Sequence, residues 1–170
     1  MAFNFEQEYE IHSDRIYQYI YFLVGHTETA EDLTQETFIK AMQYSASFRQ
    51  EASAFTWLMK IARNLTYDYF RRKRLIQFLP FRKEYDNRET VFTPEKWLEN
   101  HEESKQLYEA LHQLKLDYRE AIVLRKIEGF SIKETAEILG WKEAKVKNCT
   151  ERGMKALKQF LLKGGEEHES

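Results

Sequence analysis

The stretch from Phe130 to Phe160, FSIKETAEILGWKEAKVKNCTERGMKALKQF, constrains the fold more than any other, because its period and its punctuation agree. Ser131 and Glu134 stand three apart ahead of good helix formers, the spacing at which hydroxyl and carboxylate satisfy each other's backbone amides at a helix start. Ile132, Thr135, Ala136 and Leu139 then recur at helical spacing, and Gly140 supplies the left-handed residue that ends a helix. A second helix from about Lys142 turns Val146, Gly153, Ala156, Leu157 and Phe160 inward and leaves Lys142, Lys145, Lys147, Asn148, Arg152 and Lys155 facing out. A short helix, a tight turn and a longer basic helix make the geometry that sets a helix in the major groove of DNA. The same pattern also serves plain helical hairpins whose lysines only meet water, so the rest of the chain has to decide.

Two prolines and six glycines among 170 residues, with hardly any alternation of β-branched side chains, predict an all-α protein and exclude a parallel-sheet enzyme fold. A hydrophobic share of 42% with 15% aromatics is enough for real cores, in one domain or two small ones. The net charge of −2 argues against a protein that coats nucleic acid indiscriminately, but the charge is segregated. Lys60, Arg63, Arg71, Arg72, Lys73 and Arg74 crowd one stretch against a single acid, Asp68, whereas acids dominate the residues before it. Cys149 is the only cysteine, so no internal disulfide is expected, and the histidines lack metal-ligand spacing with it. No nucleophile–base pair or glycine-rich phosphate loop stands out, so no catalytic residue, metal or cofactor is assigned and an enzyme is disfavoured. The first residues, MAFNFEQEYE, lack a signal peptide's basic start and apolar core, and no apolar run approaches the ~20 residues that span a bilayer. No membrane insertion is expected, and a reducing cytoplasm is the natural setting.

Along the chain, Tyr9, Ile16, Tyr17, Ile20, Tyr21, Leu23 and Val24 predict a first helix with a wide apolar face, closed by Gly25. Thr27 or Thr29 is expected to cap the next, in which Leu33, Thr37, Phe38, Ala41 and Met42 form the core face. Asp32, Gln35, Glu36, Ile39 and Gln43 share another face, with acid and amide groups around one exposed apolar side chain. Such a face is either a solvated helix surface or a dock for a basic protein surface, with the rim orienting and Ile39 supplying burial. After a loop around 45–53, AFTWLMKIARNLTYDYFRRKR predicts one helix or two closely joined. Trp57, Leu58, Ile61 and Leu65 fall on its core side, Trp57 as packing rather than as a base-stacking platform. Lys60, Arg63, Asn64, Tyr67, Arg71 and Arg74 line another side. Cations neutralise phosphates, an amide pairs with a base edge and a tyrosine stacks on an unpaired base, so this stripe suits DNA whose strands are separating. A basic helix end complementing its own dipole accounts for Arg71 to Arg74 but not for Asn64 and Tyr67.

Periodicity fails from Leu75 to about Glu103, where Pro80, Pro94 and mixed charges predict a linker; its Phe78, Phe81, Phe92 and Trp97 are expected to order part of it against a domain or a partner. Helix resumes with Leu107, Ala110, Leu111 and Leu114 and restarts at Asp117, which is expected to form a second capping box with Glu120 before Gly129 terminates it. The predicted organisation is therefore two small helical domains, 1–75 and 104–163, joined by a linker at 76–103, with a flexible acidic tail at 164–170.

Three stretches, AEDLTQETFIKA at 30–41, FTWLMKIARNLTYDYFRRKR at 55–74, and LDYREAIVLRKIEGFSIKETAEILG running into VKNCTERGMKAL, together resemble the extracytoplasmic-function sigma factors of bacterial RNA polymerase. The resemblance extends over nearly the whole chain. It implies that Asp32, Gln35 and Glu36 dock on core RNA polymerase, and that the stretch from Arg63 to Arg74 recognises and helps open the minus-ten element of promoter DNA. Asn64 matches an asparagine that in some members captures a flipped base. The helix from Lys142 would read the minus-thirty-five element, the linker would thread the RNA channel, and an anti-sigma factor is the implied regulator. The chain departs from the family pattern at the recognition helix, where Cys149 replaces a commonly basic residue and Glu151 a frequent His or Tyr, and at Leu116-Asp117, where a Leu-Pro is usual. Besides a sigma factor, a free-standing dimeric helix-turn-helix regulator remains open from the residues alone.

Overall fold

The computed structural model describes residues 3–49, 51–77 and 102–168, which form two compact units, one built on the first three helices and one on the last four. The expected linker lies, but for its ends, outside the described residues, as do its aromatic side chains. No strand occurs among the described residues.

In the first unit, α1 (Phe5–Val24), α2 (Thr27–Gln43) and α3 (Ala54–Gln77) pack around Ile16, Tyr19, Ile20, Leu33, Phe38, Leu58 and Met59, all nearly or fully buried. α3 is one continuous helix of 24 residues. Its start is fixed by Ser53, whose hydroxyl accepts the Thr56 N–H at 3.1 Å and so satisfies one of the helix's orphan donors. Three buried threonines need no partner from another helix. Thr34, Thr37 and Thr66 donate their hydroxyls to the carbonyls four residues back, at 2.6, 2.7 and 2.8 Å.

Several local expectations are corrected here. Neither Thr27 nor Thr29 caps α2. Gly25, at φ +74°, turns the chain so that His26 is the N-cap residue, without a side-chain cap, and Thr27 is already helical. Met42 leaves the core face and is 53% exposed, since one residue past the buried Ala41 the helix has turned by about 100°. Tyr9 likewise is exposed, in the second turn of α1.

In the second unit, α4 (Glu102–Gln113) is followed by α5 (Leu116–Ile122), which continues as a π turn (Val123–Ile127), then α6 (Ile132–Leu139) and α7 (Glu143–His168). The capping box expected at α6 forms in full. Glu134 N–H donates to the Ser131 hydroxyl at 3.0 Å, and Ser131 N–H to the Glu134 carboxylate at 2.8 Å. Gly140, at φ +67°, closes α6 in the left-handed conformation, and Trp141 N–H returns to the Ala136 carbonyl. The second box, Asp117 with Glu120, does not form. α5 starts at Leu116 with Lys115 as the N-cap residue, so Asp117 sits inside the first turn, where its charge complements the helix dipole, and Glu120 is fully buried.

α5 and α7 approach so closely that a Cβ on Gly153 would stand 2.9 Å from Ile122 Cδ1 and 3.1 Å from Tyr118 Cβ. The end of α4 is held by Arg119, whose guanidinium donates to the carbonyls of Leu111, His112 and Leu114 at 3.0 to 3.2 Å. Burial, helped by this cation, holds the His112 imidazole down at about 4. α7 continues to His168, past the boundary expected at Lys163, since prolonging an existing helix fixes only one residue per added bond. Leu107 and Phe160, expected inside, are each 37% exposed.

Candidate nucleic-acid interface

On α2, the core side takes Ala30, Leu33, Thr34, Thr37, Phe38 and Ala41, which turns Asp32, Gln35 and Ile39 outward. Ile39 is 49% exposed, Glu36 is half-buried, and Met42 adds a second exposed apolar group one turn on. The face therefore carries acid and amide groups beside an apolar pair rather than beside one isoleucine.

On α3, burial of Phe55, Leu58, Met59, Ala62, Leu65 and Thr66 fixes the helix rotation. Asn64, Arg71 and Arg74 are exposed, while Lys60, Arg63 and Tyr67 are half-buried along the same side. The Arg63 guanidinium lies over the Tyr67 ring at 3.9 Å, which holds a cation and a flat aromatic face as one surface. Arg71 pairs with Asp68, one turn back. Asn64 lines a depression of about 300 Å³ whose other walls are Lys40, Tyr44, Ser47, Trp57, Ile61, Leu65 and Asp68. Trp57 is thus both packed and presented, since its ring also meets those of Phe3 and Phe48 at 5.3 and 5.1 Å. A concave site with aromatic and apolar walls and an amide on its lining can accept a flat heterocycle and read its edge.

On α7, burial of Val146, Cys149, Gly153 and Leu157 sends Lys145, Lys147, Asn148, Arg152 and Lys155 to the exposed side, and Lys142 is exposed in the turn just ahead of the helix. Two of these cations are engaged within the unit. Lys145 pairs with Asp117 at 3.2 Å and covers the Trp141 ring at 4.0 Å, and Lys155 faces Glu151 at 3.7 Å. Cys149 is 8% exposed, and burial, then the Asp117 carboxylate, raises its thiol pKa; a thiol here packs and does not reach a ligand. Arg125 and Lys126, which the helical period assigned to no site, line a second depression of about 280 Å³ with Ile132, Lys147, Thr150, Glu151 and Met154. Two adjacent cations just ahead of a helix-turn-helix were the available signal for them.

Among the described residues, no cluster of His, Cys, Asp and Glu could hold a metal ion, and no helix is long and apolar enough to cross a membrane.

One helical unit bears a basic stripe beside an aromatic-walled depression and the other a capped helix-turn-helix, an architecture with two separate basic surfaces of the kind suited to nucleic acid. The comparisons narrow this class. Residues 9–76 match Sigma-70 region 2, and residues 104–157 match Sigma-70, region 4. The chain is 33% identical over 165 residues to the ECF RNA polymerase sigma factor SigX of Bacillus subtilis, covering 95% of this chain and 85% of that protein. It is 34% identical to the RNA polymerase sigma factor YlaC of the same organism, covering 96% and 95%. The sigma factor RpoE, solved in complex with the anti-sigma factor NepR from Bartonella quintana, superposes with a TM-score of 0.77 at 27% identity, covering 92% of this chain and 96% of that one. The chain belongs to the sigma-70 family, as an extracytoplasmic-function RNA polymerase sigma factor. It directs RNA polymerase to specific promoters. The free-standing regulator reading leaves the region 2 match without a role.

Proposed function

We propose that three separate surfaces divide the work of initiation, with no chemistry of the protein's own. Asp32, Gln35, Glu36 and Ile39 on α2 dock on core RNA polymerase, the acids orienting a basic partner surface and Ile39 supplying burial. Lys60, Arg63, Asn64, Tyr67, Arg71 and Arg74 on α3 engage the minus-ten element as its strands separate. Asn64 reads the edge of an unpaired base in the depression, Tyr67 with Arg63 gives a stacking surface, and the remaining cations follow phosphates. Lys142, just ahead of α7, and Lys145, Lys147, Asn148, Arg152 and Lys155 on it face the minus-thirty-five duplex, with Asn148 suited to adenine and the cations to phosphate or guanine. Arg125 and Lys126 extend that surface over adjacent phosphates.

The domains are accordingly 1–75 and 104–163, the protein acts in the cytoplasm with the polymerase, and the likeness to a sigma factor solved with its anti-sigma factor supports regulation by such a partner. The depression lined by Asn64 is the observation that carries the assignment, because a closed duplex has no use for a pocket of that shape. The test is binding to purified core polymerase, followed by transcription from a promoter library. Arg63→Ala, Asn64→Ala and Arg71→Ala should weaken promoter opening and spare core binding, and Asp32→Ala or Gln35→Ala the reverse. Equal loss of both activities from either set would refute the division.

A further inference from the structure

One wall of the depression beside Asn64 is not part of any α-helix. Tyr44 and Ser47 belong to a short segment that leaves α2, passes through a single 3-10 turn (Ser45–Ser47) and reaches Arg49. Among the described residues its backbone hydrogen bonds are local. Tyr44 N–H donates to Lys40, Ser47 N–H to Tyr44 and Phe48 N–H to Ser45, at 2.9 to 3.2 Å, and the Ser47 hydroxyl returns to Tyr44 at 2.7 Å. Such bonds shape the turn and leave its seat on α3 to side-chain packing. Phe48 supplies that packing, with its ring 5.1 Å from Trp57 and 6.0 Å from Phe3. Phe3 closes the triangle at 5.3 Å from Trp57, edge to face. Each ring meets the other two, and Trp57 also lines the depression, so one indole both forms the site and seats its non-helical wall.

We propose that Phe3 is a positioning residue for base selection: through Phe48 and Trp57 it holds the Tyr44–Arg49 segment at the width at which the depression accepts its base. The proposal rests on the reading that this depression receives an unpaired base of the minus-ten element. A residue ahead of the first helix, far in sequence from α3, thereby enters the recognition of promoter DNA without touching it. Loss of the Phe3 ring leaves Phe48 one neighbour short, widens the range of positions open to Tyr44 and Ser47, and relaxes discrimination more than affinity.

The experiment uses the full chain in complex with core polymerase and two promoter libraries, one randomised across the minus-ten element and one across the minus-thirty-five element. Phe3→Ala should lower base discrimination at one minus-ten position about fivefold or more, the size of one lost base preference. Discrimination at the minus-thirty-five element and binding to core polymerase should stay at the wild-type level. Amide exchange at Tyr44–Arg49 should quicken by about tenfold, as expected of a segment released from its packing. Phe3→Tyr, which keeps the ring, should restore both readouts. If Asn64→Ala alters minus-ten discrimination and Phe3→Ala does not, the role of Phe3 is overturned and the base-site reading stands. If Asn64→Ala leaves discrimination unchanged, the base-site reading falls and the role of Phe3 with it. Equal loss at both promoter elements from Phe3→Ala, with lowered core binding, would mark general destabilisation and overturn the positioning role.

Discussion

α3 and α7 are both amphipathic helices with basic outer sides, yet they present different chemistry. The α3 stripe sets a tyrosine under a guanidinium and opens beside a depression with a tryptophan wall. The outer side of α7 carries lysines, an arginine and an asparagine, and the aromatic next to it, Trp141, is covered by Lys145. A depression walled by an indole and an amide suits a base out of its stack. Amide and ammonium groups on a protruding helix suit the edges and phosphates of a closed duplex. Positive charge alone does not distinguish the two helices, and the company kept by that charge does.

The strongest way to break this contrast is to disable one helix and watch the other. Gly153→Leu puts carbon where Ile122 and Tyr118 already stand and should force α5 and α7 apart, at a cost of about 3 kcal/mol. Duplex binding at the minus-thirty-five element should be lost in a filter-binding or anisotropy assay while core binding persists. Retained duplex binding would show that the packing of α7 on α5 does not matter to recognition. Tyr67→Ala is the reciprocal change. It should weaken binding of a single-stranded minus-ten oligonucleotide by about tenfold, from the loss of about 1–3 kcal/mol of stacking, and leave duplex binding alone.

The second unit should also lose stability in acid. His112 titrates at about 4 in the fold against 6.5 for an unperturbed imidazole, so on acidification the unfolded chain takes up its proton first. The stabilising effect is present in full above pH 6.5 and is lost as pH falls toward 4. Denaturant unfolding of the second unit should therefore give about 1–2 kcal/mol less stability at pH 5 than at pH 7 from this group. His112→Phe should flatten that dependence. The smallest effect is expected for Ser131→Ala, which removes one half of the capping box. It should lower the second unit's stability by about 1 kcal/mol without changing promoter preference.

The helices themselves were legible because their apolar period is strong and because Gly25, Gly129 and Gly140 fall where the chain turns with positive φ. The starts of α2 and α5 were not. A residue caps only if the chain before it arrives at the right angle, and neither Thr27 nor Asp117 carries that information locally. The π turn after α5 was equally hidden, since Val123 and Leu124 would be buried in an uninterrupted helix as well. The outward placement of Asp32, Gln35, Ile39, Asn64, Arg71 and Arg74 could be read from helical spacing. Arg125 and Lys126 could not, because they only come beside Lys147 when a distant helix folds back over them. The triangle of Phe3, Phe48 and Trp57 is likewise a product of tertiary packing, with nothing in any one stretch to announce it.

The threonines of the first unit have a consequence for how such a protein can change over generations. Thr34, Thr37 and Thr66 each satisfy their hydroxyl within their own helix, so none imposes a polar requirement on the helix it packs against. Replacement of any one by valine or alanine removes donor and demand together, and no compensating substitution is needed across the interface. Inheritance can thus alter the inner faces of α2 and α3 one position at a time, without any matching change on the outer faces of the same helices.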